Sequence, residues 1–337
     1  MKVDTTGGTG GRPVVLLVGG TDPSGGAGVA ADLKAVAAMG GHGCLAVTAV
    51  TVQNSGEVRS WTAAPAEQVA AQIEAVADDG GFHAVKSGML GRAETVEALA
   101  RLLDRRFSGV PYVLDPVMVA GSGDSLGRRG LVEAVREELV PRCALCTPNL
   151  DEAEKLVGAP VRDVESMKSA GRELCRLGAG ACLVKGGHLD GDPIDVLVWG
   201  AGCPDAAGGS PQEKIFENTR LGVGKVHGTG CTLASAVATL LGAGFGVRQA
   251  VAGARRYLQG ALQASFSRAN GKLLGHFPGI GEAPPARRSP DQASVDDGAY
   301  YGEPKFCARC GRELQALPDL APHRGCVACG YVAYRNP

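Results

Sequence analysis

"PVVLLVGGTDPSGGAGVAADLKAVAAMGG", residues 13–41, joins an apolar run to a helical pattern through a polar, glycine-rich turn. Residues 13–20 read as a buried strand. Over 25–41 the apolar residues return at helical spacing, with Val29, Leu33, Val36 and Ala37 on one face. The same strand–turn–helix unit recurs along the chain. Strands are expected at 44–52, 82–88, 112–116, 144–149 and 181–187. Helices are expected at 65–79, 92–106, near 128–139, 150–157, 163–178, near 230–242 and over 247–268. "IDVLVWG" and "EKIFENTRL" read as a hairpin pair within 194–221. Apolar strands alternating with helices predict an α/β domain with a mostly parallel sheet covered on both faces.

The totals fit a globular chain of more than one domain. Hydrophobic residues make up 45% of the 337 positions and the formal net charge is −1, which gives no general attraction to nucleic acid or anionic lipid. No apolar run is long enough to span a bilayer and the first residues lack a signal-peptide pattern, so a cytoplasmic protein is expected. Eleven cysteines in such a chain point to thiols or metal ligands rather than disulfides. The reading divides it into a flexible tail (1–12), the α/β domain (13–280), a Pro- and Ser-rich linker (281–304) and a small separate module (305–337).

In an open α/β sheet ligands bind beyond the carboxyl ends of the strands. Gly20, Asp22, Gln53, Met89, Asp115, Asn149 and Lys185 all fall there. "KVHGTGCTLASAVATLL" (225–241) adds a helix start made of Gly228, Thr229, Gly230 and Cys231. Unpartnered amides and the helix dipole favour an anion at such an end, and glycines let a backbone approach one closely. Cys231 is then either a buried structural thiol or a proton acceptor whose pKa the helix start lowers. Asp32 either faces inward to a pocket or sits on a solvated helix face. Gln53 is either an amide for a heterocycle edge or a loop residue. Asn149 and Glu152 are three apart at a helix start, which suits a capping box and also oxygen ligation of Mg²⁺ with Asp115. Lys185, at a strand end, either meets a phosphate or is solvated.

The terminal module carries Cys307, Cys310, Cys326 and Cys329 as C-x₂-C-x₁₅-C-x₂-C. That spacing is specific for tetrahedral Cys₄ zinc, and a module this small needs such a staple to fold.

Six blocks, "GGTDPSGGAGVAADLKAVAAMGGHGCLAVTAVTVQN", "VKSGML", "VLDPVMVAGSGDSL", "TPNLDEAEKL", "LVKGGH" and "HGTGCTLASAVA", resemble in order the hydroxymethylpyrimidine/phosphomethylpyrimidine kinases of thiamine biosynthesis, a ribokinase-like family. The resemblance covers about residues 13–280 and implies a three-layer α/β/α sandwich. It implies ATP- and Mg²⁺-dependent phosphorylation of 4-amino-5-hydroxymethyl-2-methylpyrimidine, then of its monophosphate. It further implies that Gln53, Gly20, Asp32 and Met89 contact the pyrimidine. Asp115, Asn149, Glu152 and Lys185 fall on the ATP and Mg²⁺ side, and Gly228, Thr229, Gly230 and Cys231 at the transfer centre. One departure is "NTRLGVGKVHGTGC", which separates Asn218 and Thr219 from His227 and keeps both out of the expected site.

The tail is similar to the zinc ribbon of NADH pyrophosphatase-type Nudix hydrolases, but no Nudix box follows, so Nudix hydrolysis is not expected. Two rivals remain at this stage. One is a pyridoxal kinase of the same fold, since both substrates are hydroxymethyl heteroaromatics. The other is a silent pyrimidine sensor whose ribbon docks a partner. The ribbon's mild positive excess is weak support for nucleic acid. A homo-oligomer stays open, as does a protein partner held through the ribbon.

Overall fold

The computed structural model describes residues 11–118, 130–187, 191–200, 203, 211–217 and 220–277, with short strands at 315–316, 324–325 and 332–333. Two compact units divide the chain, Met1–His276 and Phe277–Pro337.

In the first unit a nine-stranded sheet runs in the order β3-β2-β1-β4-β5-β6-β7-β8-β9. These strands are β1 (Val14–Gly20), β2 (His42–Gln53), β3 (Val58–Ala63), β4 (Ala84–Ser87), β5 (Tyr112–Leu114), β6 (Leu145–Cys146), β7 (Ala181–Gly186), β8 (Ile194–Trp199) and β9 (Gln212–Glu217). The five pairings from β2 through β1 and β4 to β7 are parallel. β3, β8 and β9 add antiparallel edges. The result is an α/β fold with a large, mostly parallel sheet, the architecture that the resemblance implies.

Strand alternation explains the layers. Leu16, Val18, Val85, Leu114, Cys146, Val184 and Val196 enter one core. That core also takes residues from α2 (Ala66–Asp79), α3 (Ala93–Arg106), α5 (Leu150–Val157) and α6 (Val164–Arg176). Val15, Leu17, Ala84, Val113, Leu145, Leu183 and Leu197 point the other way, against α7 (Thr229–Gly242) and α8 (Val247–Gln263) and Val36 of α1 (Gly28–Ala38). A period of two along each strand sends consecutive residues to opposite faces, so both faces need a helical cover. Close packing is visible at Gly171, where a β-carbon would lie 2.6 Å from Val198 Cγ2 and push α6 off β8.

Most elements lie within a few residues of expectation. The helix expected near 128–139 is composite: α4 (Leu131–Ala134) runs into a π-helical turn (Val135–Leu139) and a 3₁₀ turn (Val140–Arg142) that contains Pro141. The helix expected over 247–268 stops at Gln263. The chain then turns into a second sheet, in which β12 (Gly271–Leu273) lies between β10 (Val226–His227) and β11 (Phe266–Arg268). β3 and this small sheet were not expected. Their segments are short and mixed in polarity and burial, so they carry no clear period. Among the described residues no helix is long and apolar enough to cross a membrane. In the second unit three short strands, β13 (Gln315–Ala316), β14 (Arg324–Gly325) and β15 (Val332–Ala333), form an antiparallel sheet.

The first unit closes on His276, 4% exposed. Tyr257 on α8 donates its hydroxyl to the His276 carbonyl at 3.0 Å and also lies 3.2 Å from Nδ1. Burial, with Lys34 adding to it, holds the imidazole down at about 4 against an ordinary 6.5. A histidine that folds only when neutral stabilises the protein fully above pH 6.5, and that stabilisation fades as pH falls toward 4. Wild-type protein should therefore lose about 3 kcal/mol more than His276→Gln between those limits. Urea unfolding of both proteins at pH 7 and pH 4 checks this, and parallel pH profiles would contradict it.

Candidate active site

The chain leaves β1 toward β2 in one direction and fills β4 to β7 in the other. The seam between β1 and β4 is therefore the switch point of the sheet, where strand ends diverge and leave a crevice. The N-terminus of α7 lies at this end of the sheet. It has no side-chain cap.

Local chemistry puts it there. Gly228, which opens α7, has φ +83°, and a β-carbon on it would overlap the Gly26 carbonyl oxygen. The loop after β1 and the start of α7 thus touch backbone to backbone, which only glycine allows. Asp22 locks the contact. Its carboxylate accepts from the Ser24 and Ala27 amides at 2.8 and 2.7 Å, from Ser24 Oγ at 2.9 Å and from the Gly26 amide at 3.1 Å. His227 Nε2 lies 3.0 Å from the same carboxylate. Burial works against its charge, but these hydrogen bonds prevail and hold Asp22 below the usual carboxylate range. The sequence marks Asp22 only by its place at a strand end; nothing in "GGTDPSGGAG" shows its acceptor role.

The first turn of α7 faces a charged group. A β-carbon at Gly230 would lie 3.1 Å from Lys185 Nζ and within 3.9 Å of both Asp115 oxygens. Lys185 is 3.0 Å from Asp115 Oδ1, which also accepts from Thr147 Oγ1 at 3.1 Å. Asp115 Oδ2 is buried and has no partner. An oxygen left bare in this way suits a cation or a cation-bound water. Glu152 is pushed up to about 7, first by burial and then by Asp115, with Lys185 opposing. Asn149 and Glu152 do form the capping box of α5, each accepting at 2.8 Å from the other's amide. The cap points Glu152 inward, so the structural and electrostatic readings coexist. Among the described residues no three His, Cys, Asp or Glu side chains form a protein-only metal cage. Mg²⁺ is commonly held by one or two carboxylates together with substrate phosphates.

On the other side of β1, a β-carbon at Gly20 would lie 2.9 Å from Met89 Sδ. Met89 and Ala49 form a small apolar cluster with Val58, Trp61 and Val117. Gln53 Nε2 donates to the Thr21 carbonyl at 3.2 Å, which holds its amide at the same strand ends. The structure therefore groups Gly20, Gln53 and Met89, and separately Asp115, Asn149, Glu152 and Lys185, with Gly228–Cys231 facing the second group.

Two expectations need correction. Asp32 is neither a solvated carboxylate nor open to a cavity. It is 0% exposed, bound to Lys86 Nζ at 2.8 and 2.9 Å and to Ser235 Oγ at 2.7 Å. Cys231, partly exposed, does not have a lowered pKa. Burial pushes it up to about 12, Lys86 pulls it down, and Asp32 and Asp115 push it up again. It is a neutral thiol at pH 7. Lys86 was missed altogether, although a lysine within the apolar run "FHAVKSG" was its signal. Cys307, Cys310, Cys326 and Cys329 lie outside the described residues, as do Asn218 and Thr219.

The glycine requirement is specific to one position. Gly228→Ala should lower unfolding free energy by about 1–3 kcal/mol, from the left-handed φ and the displaced carbonyl. Gly230→Ala meets only the movable end of Lys185 and should cost less. Urea titrations of the two variants compare them directly, and equal costs would refute the backbone contact.

Known proteins share this sequence pattern and fold. Residues 22–276 match the profile of the phosphomethylpyrimidine kinase family. A hydroxymethylpyrimidine/phosphomethylpyrimidine kinase of Streptomyces coelicolor is 44% identical over 254 residues, covering 75% of this chain and 90% of its own. Among solved structures, the phosphomethylpyrimidine kinase of Clostridium difficile superposes with a TM-score of 0.63 at 33% identity, covering 75% of this chain and 100% of its own. The Bacillus subtilis pyridoxal kinase, solved with ADP, reaches 0.69 at 27% identity, covering 80% and 98%. The chain belongs to the phosphomethylpyrimidine kinase family.

Proposed function

We propose that this chain is a hydroxymethylpyrimidine/phosphomethylpyrimidine kinase, transferring the γ-phosphoryl group of ATP to the hydroxymethyl oxygen of the pyrimidine and then to the resulting monophosphate. The observation that carries the reading is the uncapped first turn of α7 facing Lys185 and Asp115 at the switch point of the sheet. Family membership supplies the substrate class.

Phosphoryl transfer asks little covalent chemistry of a protein; positioning and charge stabilisation do most of the work. In this reading the amides of Thr229, Gly230 and Cys231 receive the migrating group, with Gly228 setting their approach. Lys185 neutralises phosphate charge. Asp115, Glu152 and Asn149 lie on the nucleotide side, and Asp115 Oδ2 is the free oxygen that suits a Mg²⁺ bound with ATP, which would offset charge on the phosphates. Gln53 reads the pyrimidine edge, and Gly20 and Met89 flank the ring. The hydroxymethyl oxygen forms the new bond to phosphorus as the bond to the ADP oxygen breaks. Cys231, uncharged in the free enzyme, orients the attacking hydroxyl. In a loose transition state the hydroxyl proton leaves late, to an oxygen of the transferred phosphoryl group or to water.

Pyridoxal is the second substrate to test, because the fold is shared with pyridoxal kinases. Purified chain, ATP, Mg²⁺ and the free pyrimidine should yield ADP with mono- and diphosphorylated product by mass spectrometry. A preference for pyridoxal would overturn the substrate assignment. In the same assay Cys231→Ala should lower kcat about 100-fold with little change in KM. Near-wild-type turnover would remove the thiol from the mechanism.

For the rest of the chain we propose a kinase domain over 13–280, a linker at 281–304 and a Cys₄ zinc ribbon at 305–337 that docks a protein partner. Two observations support the ribbon. One is the C-x₂-C-x₁₅-C-x₂-C spacing. The other is that β13 and β14 fall between the two cysteine pairs and β15 follows the second, as knuckles joined by short antiparallel strands would require. The purified full chain should hold one equivalent of zinc. Chelation should disorder 305–337, while kcat, measured with Mg²⁺ restored, stays unchanged. Activity falling in step with zinc release would contradict this independence.

A further inference from the structure

Lys86 is the buried charge that the mechanism above does not use. It lies on β4, on the face turned toward α1 and α7, and its side chain is 1% exposed. Its Nζ reaches both oxygens of Asp32 on α1, at 2.8 and 2.9 Å. Ser235 on α7 donates to Asp32 Oδ1 at 2.7 Å. One turn further, Thr239 Oγ1 donates to the Ser235 carbonyl at 2.8 Å. A polar rod therefore runs from the sheet through α1 into α7.

Ser235 stands four residues after Cys231, so the two share a face of α7. The rod ends one turn below the thiol. Lys86 is also the strongest charge acting to keep Cys231 from being pushed still higher.

Stability does not account for the rod. A buried ion pair commonly contributes no more than apolar side chains of similar volume. Apolar side chains, among them Val36, Leu233, Ala234 and Val237, fill the rest of the same layer. What an ion pair adds over Leu or Met is direction. Its charge-assisted hydrogen bonds fix orientation and register more narrowly than apolar contacts alone. A shift of about 1 Å at a reacting centre can cost about 100-fold in rate.

We propose that Lys86 is a positioning residue for phosphoryl transfer: through Asp32 and Ser235 it fixes the first two turns of α7, and so the placement of Cys231 and the amides of residues 229–231 at the reacting group. The inference rests on the kinase reading above.

Two variants of the full chain test it. Ser235→Ala leaves the ion pair intact and removes only its hydrogen bond to α7. Its kcat should fall about tenfold while KM for ATP and for the pyrimidine stays within about threefold. The double variant Lys86→Met, Asp32→Leu leaves no charge unpaired and should melt near the wild-type temperature. Its kcat should fall about 100-fold with the same constancy of KM. Rates are taken per folded active site, counted by single-turnover amplitude, so that lost protein does not pass for lost rate. Wild-type enzyme runs alongside; if it forms no phosphorylated pyrimidine, the functional reading fails instead. With active wild type, an unchanged kcat in either variant overturns the proposal, as does a loss confined to KM. If the double variant does not fold, Ser235→Ala decides alone.

Discussion

The Asp22 carboxylate is the constraint on which the site depends. It accepts from three amides and the Ser24 hydroxyl in its own loop, and it meets His227 across 205 residues of sequence. A loop that runs from a strand into a glycine-rich turn has many conformations, and ordering each residue costs on the order of 1–2 kcal/mol. A single ionised acceptor with five partners selects one conformation. It also brings the residue before α7 to the loop after β1, which makes the Gly26–Gly228 backbone contact possible. Loss of this acceptor would free two loops at once and separate the helix start from the strand ends it serves.

Around that anchor the charges alternate. Asp32 meets Lys86, Lys86 acts on Cys231, and Asp115 meets Lys185, with Glu152 behind it. Each cation is shared between an anion that holds it in place and a neighbour it influences. Such an arrangement keeps lysines charged deep in the protein, since burial alone would favour their neutral form. In Lys86 and Lys185 the nearby carboxylates outweigh burial and raise the pKa. Two fixed cations therefore bracket the first turn of α7, one facing the crevice and one beneath it, in surroundings that screen them little.

How far the sequence could be read follows from this arrangement. The layers were legible because buried parallel strands and covering helices impose clear periods. The carboxyl-end residues were legible because the fold class dictates where ligands gather. The small sheet β10–β12–β11 was not, since strands of two or three residues are too short to show a period. Asp22, Lys86 and the true state of Cys231 were hidden for another reason. Their properties come from partners far away in the chain: His227 for Asp22, Asp32 and Ser235 for Lys86, and Lys86 with two carboxylates for Cys231. A helix start does favour a thiolate, and local reading stops there. Burial is a tertiary quantity, and here it pushes the thiol up.

In the proposed mechanism a neutral thiol at the transfer centre is consistent with the chemistry rather than opposed to it. In a loose transition state the bond to the leaving oxygen is largely broken before the new bond forms, so the attacking hydroxyl stays only weakly acidic until late. A strong base would add little at that stage and would place another negative charge beside phosphates. A thiol held near 12 adds none and can still fix the hydroxyl by a weak hydrogen bond. The demand then falls on geometry. In the proposed role, that demand gives the buried ion pair under α7 a use, because charge-assisted hydrogen bonds set direction more narrowly than apolar packing does.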